Sequence, residues 1–218
     1  MMGMDMPETV KFDDKYFATY YGDYSAQNPH GKLAWYISLL LKHVTGGNLL
    51  DIGCSYGRFI SAASSYFDCF GMDVDPDVVR KAGSFGHGKG FVCSRLPCIP
   101  FDGLDVITML DVLEHLPDPE AALKSAYDSL KPGGILLIVV PVYDGPFGLL
   151  VSLLDRDPTH VRKESRQYWL SCMGRYFKIL EWQGAFRKLL WGTRYIHLPT
   201  TSFRRIAPAI AIVAKKQE

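Results

Sequence analysis

What the chain lacks narrows its class first. No apolar stretch is long enough to cross a bilayer: the longest, Ile135 to Val140, falls far short of the about 20 residues a helical span needs. The cysteines (Cys54, Cys69, Cys93, Cys98 and Cys172) are odd in number and form no Cys-x-x-Cys pair. That argues against a disulfide framework or zinc cluster and for reduced thiols in a cytoplasmic setting. No basic-then-apolar segment is read at Met1 to Pro7, so no secretory signal is expected. Repeats and low-complexity segments are absent, and the formal net charge is only +1. What remains is an ordinary globular composition, 48% apolar over 218 residues, enough for one domain with a substantial core.

The small net charge hides an uneven distribution. Residues 1–150 carry 11 Lys/Arg against 18 Asp/Glu, and residues 151–218 carry 13 against 5. A basic last third fits either a solvated face or a footprint for an anionic partner.

Asn48 to Ile52 is an apolar run interrupted only by Asp51, followed by the turn Gly53-Cys54-Ser55-Tyr56-Gly57 and then by Arg58-Phe59-Ile60, which reads as a helix start. Strand, glycine turn and helix open a doubly wound α/β domain and bring backbone amides to the mouth of a ligand crevice. Gly53 is expected to let the turn approach a ligand, and Gly57 to let the helix start pack against the strand. A second strand, Asp68 to Asp73, ends in an acid 20 residues after Gly53, the place from which a carboxylate accepts ribose hydroxyls. A dinucleotide fingerprint would carry a third glycine where Ile60 stands. Asp51, Asp73 and Asp111 would surround the crevice with carboxylates, which suits a sulfonium and an ammonium better than a pyrophosphate. The expected cofactor is S-adenosylmethionine, with S-adenosylhomocysteine as product.

Three segments carry a family resemblance. Asp51-Ile52-Gly53-Cys54-Ser55-Tyr56-Gly57-Arg58-Phe59 resembles the glycine motif of the Rossmann-type (class I) S-adenosylmethionine-dependent methyltransferases. Leu110-Asp111-Val112-Leu113-Glu114-His115-Leu116-Pro117-Asp118-Pro119 resembles their fourth-strand segment, and Lys131-Pro132-Gly133-Gly134-Ile135-Leu136-Leu137-Ile138 their turn into the fifth strand. The resemblance implies a seven-stranded, mostly parallel sheet with an antiparallel edge strand and helices on both faces. It implies cofactor contacts from Asp51, Gly53, Cys54, Ser55, Gly57, Arg58, Asp73, Val74, Ser94, Leu110 and Asp111. In such enzymes an acid after the third strand often meets the adenine amino group. Here Cys93-Ser94-Arg95 stands there, leaving Ser94 or backbone groups for that contact.

The remaining chain is read around this frame. Residues 1–45 form a helical cover in which Tyr16, Tyr20 and Tyr24 share a stripe with Phe12, and Tyr20 and Tyr24 are candidates for the acceptor side. Residues 46–218 form the main domain, with a basic and aromatic insert at about 184–206. Gly148 to Leu154 is read as an apolar helix that serves as core, as an acceptor-pocket wall or as a partner contact. His115 is expected to bond nearby backbone at a helix start. In Asp155 to Arg162, His160 is the candidate general base, since its ordinary pKa lies near neutrality, and Arg162 is a candidate for an anionic group on the acceptor. No His/Asp/Glu set stands at metal-ligand spacing, so no metal is expected. The function expected is in-line methyl transfer to a small-molecule acceptor by a monomer or homodimer. Two alternatives stand beside it: an RNA-base methyltransferase using the basic third, disfavoured because no Asn/Asp-Pro-Pro-Tyr/Phe tetrapeptide is present, and a cofactor-binding interaction module without catalysis.

Overall fold

Alternation along one strand shows how the core is divided. In β5 (Leu130–Pro141), Leu136, Ile138 and Val140 enter one apolar cluster, while Ile135, Leu137 and Val139 enter another on the opposite face. Side chains of a strand alternate between faces, so a run that is apolar at every position marks a sheet covered on both sides. The structure, a computed structural model, describes residues 14–16, 18–19, 24–84, 87–190 and 194–217, with backbone alone at 14, 24–25, 188–190 and 194–195.

The other strands are β1 (Asn48–Ile52), β2 (Asp68–Asp73), β3 (Gly90–Cys93), β4 (Leu104–Leu110), β6 (Phe177–Leu190), β7 (Arg194–Thr200) and β8 (Ala209–Lys216). Among the described residues they form one sheet of order β3-β2-β1-β4-β5-β8-β6-β7. β3, β2, β1, β4 and β5 pair in parallel, and β8, β6 and β7 add on in antiparallel pairs. The sheet thus has eight strands, one more than expected. The extra strand comes from the region read as an insert: Gly184 to Leu190 continues β6 and pairs with Thr200 to Arg194 of β7. Gly184, near which the insert was expected to begin, sits within the strand, and glycine is needed there because a Cβ would lie 2.5 Å from the Cβ of Ala207.

The helices are α1 (Asp14–Tyr16), α2 (Tyr24–Gln27), α3 (His30–Leu41), α4 (Arg58–Ala63), α5 (Pro76–Ser84), α6 (Pro119–Ser129), α7 (Gly148–Leu154) and α8 (Arg166–Tyr176). Their starts follow local chemistry. Asp75 accepts from the amides of Asp77 (2.9 Å) and Val78 (3.2 Å) to cap α5, Asp118 accepts from Ala121 at α6, and Ser165 from Tyr168 at α8. α3 and α4 cover one face of the sheet, and α6 and α8 the other, where Trp169 is fully buried. α7 joins neither face: Leu149 is 76% exposed, and Leu150, Leu153 and Leu154 are also exposed, so the core reading of this helix is corrected. It does not line the main cavity either. No helix among the described residues is long and apolar enough to cross a membrane.

Candidate active site

β1 and β4 lie side by side at the centre of the sheet, with the chain winding outward from them in both directions. In such sheets the crevice opens beyond the carboxyl ends of that pair, and the residues that follow them here are Gly53 and Asp111. The first turn hooks onto β2, since the amides of Gly53 and Cys54 donate to the Met72 carbonyl at 2.8 and 3.1 Å. It then turns through left-handed backbone at Gly53 (φ 74°), Ser55 (φ 46°) and Gly57 (φ 74°). A Cβ at Gly53 would stand 2.5 Å from Val112 Cγ2, so glycine is needed there for contact with the segment after β4. At Gly57 a Cβ would meet Ala82 and Phe91 at ordinary distances of 3.5–3.7 Å. Its positive φ, and not close helix–strand packing, is what calls for glycine.

This turn aims the Ser55 amide at Asp73 Oδ2 (2.9 Å), while the amide of Asp75 donates to Oδ1 (3.2 Å). Asp73 is thereby fixed at the tip of β2 and lines the cavity. Burial pushes its pKa above the usual carboxylate value, and the amide bonds offset part of that rise.

The electrostatics differ from a simple ring of three carboxylates. Asp51 is paired in register with Thr108 of β4, whose hydroxyl donates to Asp51 Oδ1 at 2.6 Å. Burial pushes Asp51 up to about 7, against the pull of that bond. Asp111 receives Arg187 Nη1 on both oxygens at 2.7 Å and has Lys32 Nζ at 3.9 Å. Burial alone would raise Asp111, but the charges of Arg187 and Lys32 hold it below the ordinary range. Lys32, itself buried, falls to about 8 because desolvation outweighs Asp111. The crevice is therefore largely neutralised from within, because buried charge is tolerated only when paired or protonated. The crevice is thus less negative than the three carboxylates expected around it would make it.

This yields a pH prediction. Asp51 has a folded pKa raised to about 7 from 3.8. Between those values the folded protein holds the proton more tightly, so this residue's contribution to stability declines as pH rises from about 4 to about 7. Asp51→Asn, which keeps an acceptor for Thr108, removes that decline. Its melting temperature should match the parent near pH 4 and exceed it above pH 7. Parallel melting curves across that range would overturn the assignment.

Beyond Asp73 and Asp111 the same cavity, of about 720 Å³, continues to Glu114, His115 and His160. Glu114 and His115 occupy a 3-10 turn, Leu113–His115, directly after β4. The loop bearing His160 is shaped by successive Asx turns, in which the Asp157 amide donates to Asp155 Oδ1 (3.2 Å) and the Thr159 amide to Asp157 Oδ1 (2.9 Å). It is pinned by the Arg162 amide donating to the Glu114 carbonyl at 3.0 Å. His160 Nδ1 lies 2.9 Å from Asp155 Oδ1, whose carboxylate also meets Tyr143 Oη (2.7 Å) and Lys163 Nζ (3.1 Å). Burial would raise Asp155, but these partners hold it below the usual range. Glu114 is pushed well above its ordinary value, first by burial and then by the charge of Asp111. Burial, reinforced by His160, lowers His115 to about 4.

Of the residues singled out from sequence, Gly53, Ser55, Asp73, Val74, Ser94, Leu110, Asp111 and His160 line this cavity. Asp51, Cys54 and Arg58 surround a small recess of about 40 Å³ that Gly53, Leu110 and Asp111 share. Gly57 lines neither. The Ser94 hydroxyl donates to the Cys98 carbonyl at 2.9 Å. Arg162 is not on the cavity wall; its guanidinium donates to the Pro117 carbonyl and faces Glu164 at 3.6 Å, so its acceptor role is corrected to loop closure. Arg166 is likewise spent on the Ala207 carbonyl and Asp144. Tyr20 and the Tyr24 side chain lie outside the described residues, while Tyr16 is buried, lines the cavity and donates to Asp157 Oδ2 at 2.5 Å. His115 meets the Thr159 hydroxyl at 2.8 Å. Sequence reasoning passed over Lys32, Thr108, Glu114 and Asp155 and gave Arg187 no partner. The available signals were the Asp-x-Asp-x-Thr-His loop pattern and the adjacency of Glu114 to His115.

A doubly wound sheet with a glycine turn and an acid at the tip of its second strand defines a nucleoside-binding α/β protein. A family model described as a methyltransferase domain matches residues 24–188. The chain belongs to the class I, Rossmann-type S-adenosylmethionine-dependent methyltransferase family. It is 33% identical over 135 residues to the uncharacterized methyltransferase YcgJ of Bacillus subtilis, covering 56% of this chain and 53% of that protein. An uncharacterized methyltransferase of Mycobacterium tuberculosis is 33% identical over 108 residues, 47% of this chain and 42% of that one. The chain's matches thus span about half the length of these curated relatives. Among solved structures, that of YcgJ superposes with a TM-score of 0.66 at 22% identity, covering 87% of this chain and all of that one. A putative methyltransferase of Bacillus halodurans gives 0.68 at 18% identity, covering 86% and 100%.

Proposed function

We propose that the protein transfers a methyl group from S-adenosylmethionine to a small-molecule acceptor seated between Asp111 and His160. One observation carries this reading: a single cavity is lined both by the glycine turn and Asp73 and by Glu114, His115 and His160. At about 720 Å³ it lies in the upper part of the usual about 300–1,000 Å³ range for ligand sites. The residues fit the cofactor: Asp73 for the ribose, Ser94 and nearby backbone for the base, and Gly53, Leu110 and Asp111 for the amino-acid end. When bound, the cofactor supplies an electrophilic methyl on sulfur.

The protein's part is placement, exclusion of water and handling of the acceptor. Holding two reactants in line is worth up to about 7–11 kcal/mol of barrier. Lys32, Gln27 and Asn28 wall the cavity from the N-terminal side, with Lys32 Nζ donating to Asn28 Oδ1 at 3.2 Å. Activation of the acceptor falls to His160. Asp155 holds its Nδ1, leaving an Nε2 lone pair able to draw a proton from an acceptor hydroxyl. Lys32, Arg95 and Arg187 are on the cavity wall, so an acidic group on the acceptor would meet these cations in place of Arg162.

The direct test is calorimetry with S-adenosylmethionine. The parent should bind it, and Asp73→Ala should weaken binding by about 1.5–3 kcal/mol, the value of hydrogen bonds to a charged group. An Asp73→Ala variant that is folded and binds as tightly as the parent rejects the ribose assignment. A parent that ignores both the cofactor and its demethylated product while holding a dinucleotide rejects the function.

A further inference from the structure

Glu114, His115 and His160 each bring a donor atom to within 4.8 Å of the others. Sequence spacing gave no hint of this set, because His160 arrives from a loop that folds back over the end of β4. Glu114 is only 1% exposed, and its Oε2 has no hydrogen-bond partner. Buried polar atoms nearly always find partners, and a buried carboxylate with an unpartnered oxygen, grouped with two imidazoles, is suited to a cation.

The hydrogen bonds around the histidines decide which nitrogens carry lone pairs. Thr159 gives its only hydroxyl proton to Asp157 Oδ1 at 2.6 Å. The 2.8 Å contact between Thr159 Oγ1 and His115 Nδ1 must then use a proton from the imidazole, which leaves the lone pair on Nε2. Asp155 Oδ1, at 2.9 Å from His160 Nδ1, sets the same tautomer there. His160 Nε2 stands 3.8 Å from Asp157 Oδ2, beyond hydrogen-bond reach. Metal-bound histidines are held in this way, the outer nitrogen donating to a carboxylate or hydroxyl while the inner one ligates.

We propose that Glu114, His115 and His160 form a divalent-cation site, with one carboxylate oxygen and two Nε2 atoms as ligands. Two imidazoles and a carboxylate favour a borderline first-row ion such as Mn²⁺, Fe²⁺, Co²⁺ or Zn²⁺ over Ca²⁺. Three protein ligands leave coordination positions open, and all three residues line the cavity. An acceptor with oxygen donors, above all two adjacent ones, would complete the coordination and be fixed in place. This rests on the placement of the acceptor given above and deepens it: in the loaded site the His160 lone pair serves the ion and not a proton. Asp155 and Thr159 are positioning residues.

The test is a titration of the chelator-treated full chain with Co²⁺, followed by visible absorption and calorimetry, with cofactor affinity and melting curves measured on the same samples. Saturation at a single equivalent is expected. Binding should weaken at least about tenfold in Glu114→Gln, His115→Ala and His160→Ala, and about 10–100-fold in Asp155→Asn through loss of orientation. Folded ligand variants that bind Co²⁺ as the parent does, or a parent that does not bind it at millimolar concentration, overturn the site. Loss of Co²⁺ binding with cofactor binding intact rejects the ion alone. Co²⁺ binding without cofactor binding supports the ion site and rejects the cofactor reading.

Discussion

His160→Ala should lower turnover by about 10²–10⁴-fold and leave the affinity for S-adenosylmethionine unchanged, whether the imidazole takes the acceptor's proton itself or holds an ion that polarises the acceptor. The separation follows from the site's layout. His160 shares the cavity with Asp73 but is held by a different set of contacts: Asp155 on its Nδ1 and the ring of His115 at 4.7 Å between centroids. None of the bonds that fix Asp73 passes through it. The measurement is formation of demethylated cofactor with an acceptor obtained by mass-spectrometric screening of ligands that co-purify. Turnover equal to the parent's would end the assignment. A matched loss of cofactor affinity would show that the loop, and not the imidazole, had been disturbed. Asp155→Asn serves as companion, because it keeps the side chain's shape while weakening the hold on Nδ1.

Asp111→Ala is expected to be the most destabilising change at the cofactor end, by about 2–4 kcal/mol near neutral pH. Truncating one member of a buried charge pair leaves the other without compensation, at about 2–5 kcal/mol. Here two cations lose the charge that faces them, Arg187 and Lys32, with side chains only 14% and 7% exposed. The Asp111 carboxylate is itself 28% exposed, which places the expected cost below the top of that range. Backbone adds to the effect, since Asp111 sits at φ 57°, a conformation aspartate and asparagine tolerate better than alanine. For a chain of this size the loss corresponds to roughly 5–15 °C in melting temperature. Asp111→Asn keeps the backbone preference and should fall between parent and alanine. Adding Arg187→Leu to Asp111→Ala should recover part of the loss, because it removes one of those two charges. A melting temperature within a degree or two of the parent for Asp111→Ala would show that the two cations find water instead.

The contrast between these residues explains what could be read beforehand. The place of Asp73 was legible because it is set by local geometry: a strand of known length, a glycine turn before it and an acid at its tip. The Asp75 cap of α5 is local in the same way, since a cap is a contact with residues two and three places on. Arg187 on Asp111 and His160 against Glu114 were not, because each pair is far apart in sequence and joined only by the order in which strands pack. The eighth strand escaped because the basic and aromatic composition of about 184–206 reads as an insert, and only the nearness of Ala207 explains a glycine inside a continuous strand. The leucines of α7 have core composition, yet the chain leaves them exposed after β5 ends.

The sequence by itself determined the parallel core, the glycine turn, the acid at the tip of the second strand and the membership of the family, because periodicity, turn chemistry and short spacings act over a few residues. Only the tertiary structure decided how charge is balanced at Asp111, which histidine nitrogens carry lone pairs, and that Glu114, His115 and His160 share one corner. Those outcomes depend on burial and on contacts across the sheet edge. Burial decides whether a carboxylate must find a partner, and strand order decides which partner it meets.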